Sequence, residues 1–418
     1  MITNFDIEQN LKVEFLVPDA LGGIFTLGIS ILDGTDVLGG FNEFIIDLSL
    51  LGGDDVLAPS KGLAWQEVNC STSDATIDIG GSLLNSITFQ PEPATANITL
   101  QSFDFDPTVN KNIRASTKIR IRLESQDVDR IIFQGYINTI NVTYYPEGLN
   151  LIQITAFDVY RKLVNTRFPI WDTTPYGPPV FSTFLFELIA DQAGLGISGL
   201  SRDIKGIFIP EVNETNVIVA DILNEVILAS NAIVWIDQDT EELAYIPRVP
   251  QDPFPGPPAP EFTIGNNHPA PGVLDPSHLC LGEISVFSDQ DAVFNSLRVT
   301  LESDDTQVLE IKDQDSIDLY GESPVDVTLN AFDLNEMGTW AENVFEDRSA
   351  NLVNQVVTPA LDRLGTLTNA AVFTPGTRIN VSYTKNQLNI VGIYTVIKVS
   401  HRIDVDNWFT TLELWKEA

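Results

Sequence analysis

The sequence predicts a mainly β protein with α+β parts, in which two strand-rich segments flank a small α/β segment. Three observations lead to this prediction. Apolar and polar residues alternate in the outer segments, apolar residues recur at helical spacing in the middle, and prolines cluster where the pattern changes. The chain has 418 residues, of which 44% are hydrophobic, so it can form about two to four domains at roughly 150 residues each.

The first segment has the pattern of a β meander. Residues 118–123 alternate polar and apolar side chains, as expected of a half-buried strand whose successive side chains point to opposite faces. Residues 131–135, 137–144 and 149–157 continue with β-branched and aromatic residues, and the turn-forming residues 146–148 separate the last two stretches. We therefore predict a first β domain over residues 1–165.

The middle segment, residues 166–250, changes to helical spacing. Ser182 can cap a first helix and Gly194 can end it, and Thr215 can cap a second helix. The pattern of residues 232–247 predicts a hairpin with an acidic turn. The apolar positions of the two helices are Phe184, Leu185, Leu188, Ile189, Ile218, Ile222 and Val226.

Proline marks the boundary of the last segment. Ten of the 24 prolines fall within one 30-residue stretch, which is not expected to join a sheet or a helix because each proline fixes φ and lacks an N–H donor. We predict a Pro-rich linker over residues 251–276. Residues 277–418 then return to strands, with one helix at about 333–353 that Asp333 and Glu336 introduce as a capping box. The predicted strands are 296–301, 325–329, 378–383, 393–399 and 408–415.

The charge of the chain excludes some classes of function. Asp and Glu number 58 against 23 Lys and Arg, which gives a formal charge of −35. Since binding to phosphate backbones depends on cationic residues, we predict no sequence-specific nucleic-acid binding. Residues 21–32 are the most apolar early stretch but contain three glycines and are shorter than the about 20 residues of a spanning helix. We predict no membrane span, and Cys70 and Cys280 are too few for a disulfide framework.

No pattern typical of an active site occurs, so we predict no catalytic, cofactor-binding or metal-binding residues. His401 is interpreted as a hydrogen-bonded histidine at a strand end, because the sequence identifies no partner for a metal or acid–base role. Five pairs of aspartates could offer oxygens to Ca²⁺, but none has the rest of an EF-hand loop, and solvated turns are favoured. The pairs are Asp104/Asp106, Asp237/Asp239, Asp289/Asp291, Asp313/Asp315 and Asp404/Asp406.

Positive charge is concentrated at one place. On the predicted strand 118–123, three cations share one face. Two interpretations stay open: a solvated face that offsets the surrounding acidic residues, or a face that contacts an acidic protein surface such as another copy of the chain. The cations of this region are Lys111, Arg114, Lys118, Arg120, Arg122 and Arg130.

Several short stretches occur in the order and spacing of a known family. Together they resemble the first β domain, the small α/β domain and the second β domain of bacteriophage tail hub proteins, over most of residues 85–418. The stretches are Phe133-Gln134-Gly135-Tyr136-Ile137, Ile154-Thr155-Ala156-Phe157-Asp158, Ile233-Val234-Trp235-Ile236-Asp237, Ser316-Ile317-Asp318-Leu319-Tyr320-Gly321 and the run from Tyr394 to Leu414.

The resemblance implies two tail-tube-like β-barrel domains, at residues 1–165 and 277–418, with the small α/β domain between them. It implies a homotrimeric ring at the tail tip or baseplate, which joins the sixfold tail tube to threefold tip components and provides a channel for the tape-measure protein and DNA. The expected partners are copies of the same chain, distal tail or tail-tube proteins, the tape-measure protein, and tail-tip fibre or spike proteins. The expected location is the virion, after assembly in the host cytoplasm.

A second hypothesis is a β-rich carbohydrate-binding or glycan-hydrolysing protein. The acidic pairs and the six tryptophans support it. The tryptophans are scattered, however, and most lie in apolar patterns, which favours packing in a core over a carbohydrate platform.

Overall fold

The fold is described from a computed structural model. Cys70, Cys280, two of the aspartate pairs and most of the predicted linker lie outside the residues that the structure describes. The described residues are 11–18, 63–67, 71–84, 87–102, 107, 113–124, 129–146, 148–176, 179–182, 184–201, 206–247, 260, 262–265, 278–279, 281–288, 294–349, 355–361, 373–385, 388–404 and 408–416.

Strands dominate both ends of the chain, as predicted. The strands before residue 158 are β1 (Leu11–Pro18), β2 (Leu63–Glu67), β3 (Ser71–Leu84), β4 (Thr88–Pro91), β5 (Thr95–Ser102), β6 (Lys118–Glu124), β7 (Asp129–Thr143) and β8 (Asn150–Phe157). The middle of the chain contains α1 (Tyr160–Asn165), β9 (Arg167–Asp172), a 3-10 turn (Thr174–Tyr176), β10 (Val180–Phe181), α2 (Phe184–Ala193), β11 (Phe208–Ile209), β12 (Asn213–Ile218), α3 (Val219–Ser230), β13 (Ala232–Ile236) and β14 (Leu243–Pro247).

The last part of the chain adds strands and two helices. They are β15 (Phe262–Gly265), β16 (His278–Leu279), β17 (Leu281–Ser288), β18 (Ser296–Leu301), β19 (Asp304–Lys312), α4 (Gln314–Tyr320), β20 (Pro324–Leu329), α5 (Leu334–Ser349), β21 (Gln355–Leu361), β22 (Arg378–Lys385), β23 (Leu388–Asp404) and β24 (Trp408–Lys416). No described helix is both long and apolar enough to cross a membrane.

One large sheet contains most of the described strands. Its main path runs β16-β15-β22-β23-β3-β5-β8-β7-β6-β1-β2, and β24, β21, β17 and β4 join beside it. The predicted meander is confirmed, because β6, β7 and β8 are successive antiparallel neighbours. In β6, Ile119, Ile121 and Leu123 are buried and the cations between them are half-buried, so the alternation in the sequence does mark the two faces of a strand.

The predicted helices and hairpin of the middle segment form, with two corrections. Gly194 ends α2 in the left-handed region, at φ +71°, as predicted. The side chain of Ser182 does not cap α2, because its Oγ is buried without a hydrogen-bond partner among the described residues. Thr215 is not a helix cap either. It lies in β12 opposite Ile170 of β9, and α3 starts only after Ile218, with no side-chain cap.

A second α/β element interrupts the last strand-rich segment. β18 pairs with β19 in antiparallel and with β20 in parallel orientation. The predicted helix is confirmed as α5, where Asp333 Oδ1 accepts from the Glu336 backbone N–H at 3.0 Å. Trp340 Nε1 donates to the Leu228 carbonyl at the end of α3, at 2.8 Å. Side chains of α5, β18 and the middle segment thus share one apolar core, and the domain limits at 165, 250 and 277 stay predictions.

One strand lies inside the predicted Pro-rich linker. β15 pairs in parallel with β22, and Phe262 and Ile264 are buried. The expectation that residues 251–276 join no sheet is therefore wrong at this point. The physical reason is local, because no proline lies between Pro260 and Pro269 and the intervening backbone keeps its N–H donors.

Candidate functional site: a duplicated sheet and its joints

The large sheet contains the same five-stranded arrangement twice. The first sheet unit consists of β3, β5, β8, β7 and β6 in spatial order, and every neighbouring pair is antiparallel. The second sheet unit consists of β17, β21, β24, β23 and β22 in the same order, again antiparallel throughout. The sequence offers strands of similar length in both regions but no visible repeat, so the duplication is a finding of the structure.

Matching irregularities show which residues are equivalent in the two units. The register between β7 and β8 shifts between Ile137 and Thr139. The register between β23 and β24 shifts in the same place, between Val396 and Lys398. Because both long strands have a bulge at the same point, Ile137 and Val396 occupy equivalent positions in the two units.

The turns that lead into β6 and β22 match in the same way. The Ser116 N–H donates to the Ile137 carbonyl at 2.7 Å, and the Gly376 N–H donates to the Val396 carbonyl at 2.8 Å. Ser116 and Gly376 both have positive φ, at 71° and 86°. Equivalent backbone geometry is therefore produced by different residues, which explains why the repeat is invisible in the sequence.

A strand joint connects the two units. We define it as the antiparallel pairing of residues 74–80 of β3 with residues 398–404 of β23. Ser400 Oγ donates to Asp78 Oδ1 across it at 2.5 Å. At Gly80, with φ +120°, a Cβ atom would lie 2.3 Å from the Ile397 carbonyl oxygen, so only glycine fits this close approach.

His401 lies in this strand joint and is 2% exposed. Its Nδ1 lies 3.0 Å from Thr410 Oγ1 and 3.3 Å from Trp408 Nε1. Burial lowers the pKa of the His401 ring to about 4, so the ring is neutral at pH 7. The interpretation as a hydrogen-bonded histidine is confirmed, with the difference that His401 lies within β23 and is fully enclosed.

A turn joint connects the α/β core to the first sheet unit. We define it as the turn at residues 237–242 between β13 and β14, together with its contacts to β6 and β7. The Gln134 N–H donates to Gln238 Oε1 at 3.0 Å, and Lys118 Nζ forms an ion pair with Glu241. The Asp237 carboxylate accepts from Ser198 Oγ at 2.7 Å and from the Asp239 N–H at 3.0 Å, so it fixes the backbone of this turn.

Asp158 is the buried carboxyl group of the turn joint, and sequence reasoning missed it. It follows β8 directly, is 3% exposed, and accepts from the Tyr160 N–H at 3.1 Å. Burial raises the pKa of the Asp158 carboxyl to about 8, and the nearby charge of Glu241 adds to the rise. The group is therefore mostly protonated at pH 7, and the only signal in the sequence is its position at the end of an apolar strand.

A cavity of about 330 Å³ lies between the two joints. Residues of β3, β7, β13, the turn at residues 237–242 and the turn before β22 line it, among them Arg130, Asp239, Trp235 and Thr377. His401 also borders the cavity. Within the described part of the chain, no group of three or more His, Cys, Asp or Glu side chains could hold a metal ion.

Acidic residues of the same chain contact the basic face. Arg120 Nε donates to Glu14 Oε2 at 2.6 Å, and the guanidinium lies 4.3 Å from the centre of the Trp65 ring. Lys118 is paired with Glu241 in the turn joint. The structure favours the interpretation in which the cations offset nearby acidic residues. The cations are half-buried and not fully solvated, however, because their acidic partners pack against them.

The aromatic residues that supported a carbohydrate hypothesis are mostly core residues. Of the six tryptophans in the sequence, the five after Trp65 are at most 4% exposed. Asp313 of one acidic pair caps α4, because its Oδ1 accepts from the Ser316 N–H at 3.0 Å. The described residues therefore present no tryptophan platform for a sugar ring.

Comparisons with known proteins agree with this architecture. No protein-family model matches the chain, and no curated protein matches it. The chain is similar in structure to the tail protein from Neisseria meningitidis MC58, with a TM-score of 0.58, 12% identity, and coverage of 84% of this chain and 94% of that one. It is also similar to the 43 kDa tail protein of prophage MuSo2 from Shewanella oneidensis, with a TM-score of 0.56, 6% identity, and coverage of 84% and 95%.

The chain therefore has the fold of these two tail proteins. This confirms the predicted mainly β fold and, at the level of the fold, the resemblance drawn from the sequence. Closure of either sheet unit into a barrel stays a prediction.

Proposed function

We propose that this chain is the structural hub of a phage tail tip or baseplate. Three chains would form a ring that joins the sixfold tail tube to threefold tip components. The duplicated sheet is the observation that carries the proposal, because each chain contains two units with one strand order. Three chains then place six equivalent units around one axis, so a single ring can match both symmetries.

The charge of the chain is compatible with a channel for DNA. The formal charge of −35 per chain and the internal pairing of the basic face leave little positive charge to retain phosphate groups. Its partners would be further copies of the chain, tail-tube or distal tail proteins, the tape-measure protein, and tail-tip fibre or spike proteins. The protein would reside in the virion after assembly in the host cytoplasm.

The ring is tested by measuring the mass and the shape of the purified protein. Light scattering coupled to size exclusion, at about 0.15 M salt to screen the acidic chains, should give three times the chain mass of 46.1 kDa. Negative-stain images should show rings with a central hole and threefold symmetry. A protein that stays monomeric up to high concentration, or particles with another symmetry, would contradict the proposal.

We also propose that the chain catalyses no reaction. His401 is buried and neutral, and the hydroxyl beside its ring, Thr410 Oγ1, is as fully buried as the ring itself, so a substrate cannot reach this pair. A screen of peptidoglycan and soluble glycans with the purified protein should detect no hydrolysis. Hydrolysis that disappears when one carboxylate is replaced by its amide would instead support the glycan-hydrolase hypothesis.

A further inference from the structure

Two strand edges of the duplicated sheet pair with no other described strand. β17 pairs with β21 on one side only, and residues 139–143 of β7 pair only with β8. The edges that are equivalent to these in the repeat, one from each unit, pair with each other. β3 pairs with residues 398–404 of β23, which is the strand joint.

The repeat fixes which residues of the unpaired edges correspond to the strand joint. One row of opposed residues crosses the first unit from β7 to β3: Ile137, Ala156, Ala96 and Ile77. The same row crosses the second unit from β23 to β17: Val396, Leu414, Val357 and Val286. Both rows start directly before the bulge, so Ile77 and Val286 occupy equivalent positions.

We propose that β17 of one copy of the chain adds in antiparallel orientation to residues 139–143 of β7 in the next copy. This contact between chains would have the same pairing as the strand joint within each chain. In the strand joint Thr76 is opposite Arg402, and the equivalent pair between chains is Ser285 opposite Thr143. The inference rests on the proposed ring and identifies the strands that close it.

The burial of the equivalent residues supports this contact. Ile140 and Val142 are apolar but only half-buried, and they pack at the margin of the core of the first unit. Their equivalents in β23, Val399 and His401, are at most 2% exposed beneath β3. An added strand would complete the burial of Ile140 and Val142 and would pair their backbone edge, which otherwise invites association with another chain.

Mixed cysteine cross-linking tests the contact between chains. Cys70 and Cys280 are first replaced by serine, and then Thr143→Cys and Ser285→Cys are introduced into separate chains. Both positions are exposed, so the substitutions should leave the fold intact. Mild oxidation should cross-link the two chains only after mixing, and a chain with both substitutions should give a ladder that ends at the trimer.

A matched control uses the strand joint itself. A chain with Thr76→Cys and Arg402→Cys, the equivalent positions, should form a disulfide within the chain, with no change in mass. If the protein forms the ring but residues 143 and 285 of different chains do not cross-link, the proposed contact is wrong and the proposed function stands. If no ring forms at any concentration, both are wrong.

Hydrogen exchange of the unmodified protein provides a second measurement that needs no substitution. Backbone amides of residues 139–143 and 283–288 should exchange about tenfold or more slowly in the ring than in chains dissociated by dilution. Residues 74–80 should keep the same protection in both states, because their partner lies in the same chain. Equal exchange of residues 139–143 in both states would overturn the proposal even if the cysteine variants failed to fold.

Discussion

The strand joint and the turn joint both fix the first sheet unit, but their stability depends on pH in opposite directions. In the strand joint, burial lowers the pKa of His401 from 6.5 to about 4, so the folded chain binds fewer protons than the unfolded chain between these values. In the turn joint, burial raises the pKa of Asp158 from 3.8 to about 8, so the folded chain binds more protons in that window. A fall in pH from 6.5 to about 4 therefore weakens the strand joint, and a rise in pH from 3.8 to about 8 weakens the turn joint.

The difference shows how the same fold uses two kinds of contact. The strand joint consists of backbone pairing between two sheet strands, with a neutral histidine enclosed beneath it. The turn joint consists of side chains from the α/β core, with an ion pair and a protonated carboxyl group. Substitutions that separate packing, charge and protonation can therefore test each joint alone.

The largest effect is expected from Trp408→Ala, next to His401 in the strand joint. The ring is fully buried, and its loss should lower the free energy of unfolding by about 3–5 kcal/mol. The neighbouring Phe409 is 41% exposed, so Phe409→Ala should cost less than about 1 kcal/mol. Denaturant unfolding measures both, and equal effects would show that Trp408 does not anchor the joint.

The next largest effect is expected from Glu241→Gln in the turn joint. The side chains of Lys118 and Glu241 are 21% and 17% exposed, so loss of the charged partner should cost about 1–3 kcal/mol. Glu310→Gln is the control, because the Lys312–Glu310 pair is 39% and 53% exposed and its loss should cost less than about 1 kcal/mol. A smaller effect at Glu241 than at Glu310 would contradict the importance of the ion pair.

Asp158→Asn should reduce the pH dependence of stability. Between pH 6 and pH 7 the Asp158 carboxyl is protonated in the folded wild type and ionised in the unfolded chain. As the pH rises through this range, the free energy of unfolding should therefore fall by about 1.4 kcal/mol per pH unit from this group alone. The amide cannot ionise and should remove that slope. The difference between wild type and variant isolates Asp158 from other acidic groups with a raised pKa, such as Glu225, where partial desolvation and neighbouring carboxylates raise the pKa to about 7. Parallel pH profiles would show that Asp158 ionises freely.

The smallest effect is expected from His401→Gln in acid. Between pH 6 and pH 5 the wild type should lose about 1 kcal/mol of stability through this group, because the unfolded chain gains a proton that the buried ring does not. Glutamine can keep a hydrogen bond to Trp408 but does not titrate. The variant should therefore show a flatter profile below pH 6 and an unchanged profile near pH 8, and a steeper acid profile would contradict the assignment.

Local features of the fold could be predicted from the sequence, whereas the joints could not. The alternation at Lys118–Leu123 and the turn residues between β13 and β14 act on neighbouring residues, so they identify a strand and a hairpin. The pairing of β3 with β23 joins residues more than 300 positions apart, and alternation marks the face of a strand but not its neighbour. The surroundings of Asp158 could not be predicted for the same reason, because Gln238 and Glu241, which act on its carboxyl group, belong to a distant turn.

The connection between the first two strands of each sheet unit differs greatly in length between the two units. In the first unit, β3 reaches β5 through β4 alone, whereas in the second unit the whole α/β element from β18 to α5 lies between β17 and β21. The strand order is the same in both cases. This crossover can therefore accept a complete folded module without altering the sheet, which makes it a suitable place to graft a reporter domain or an epitope onto an assembled particle.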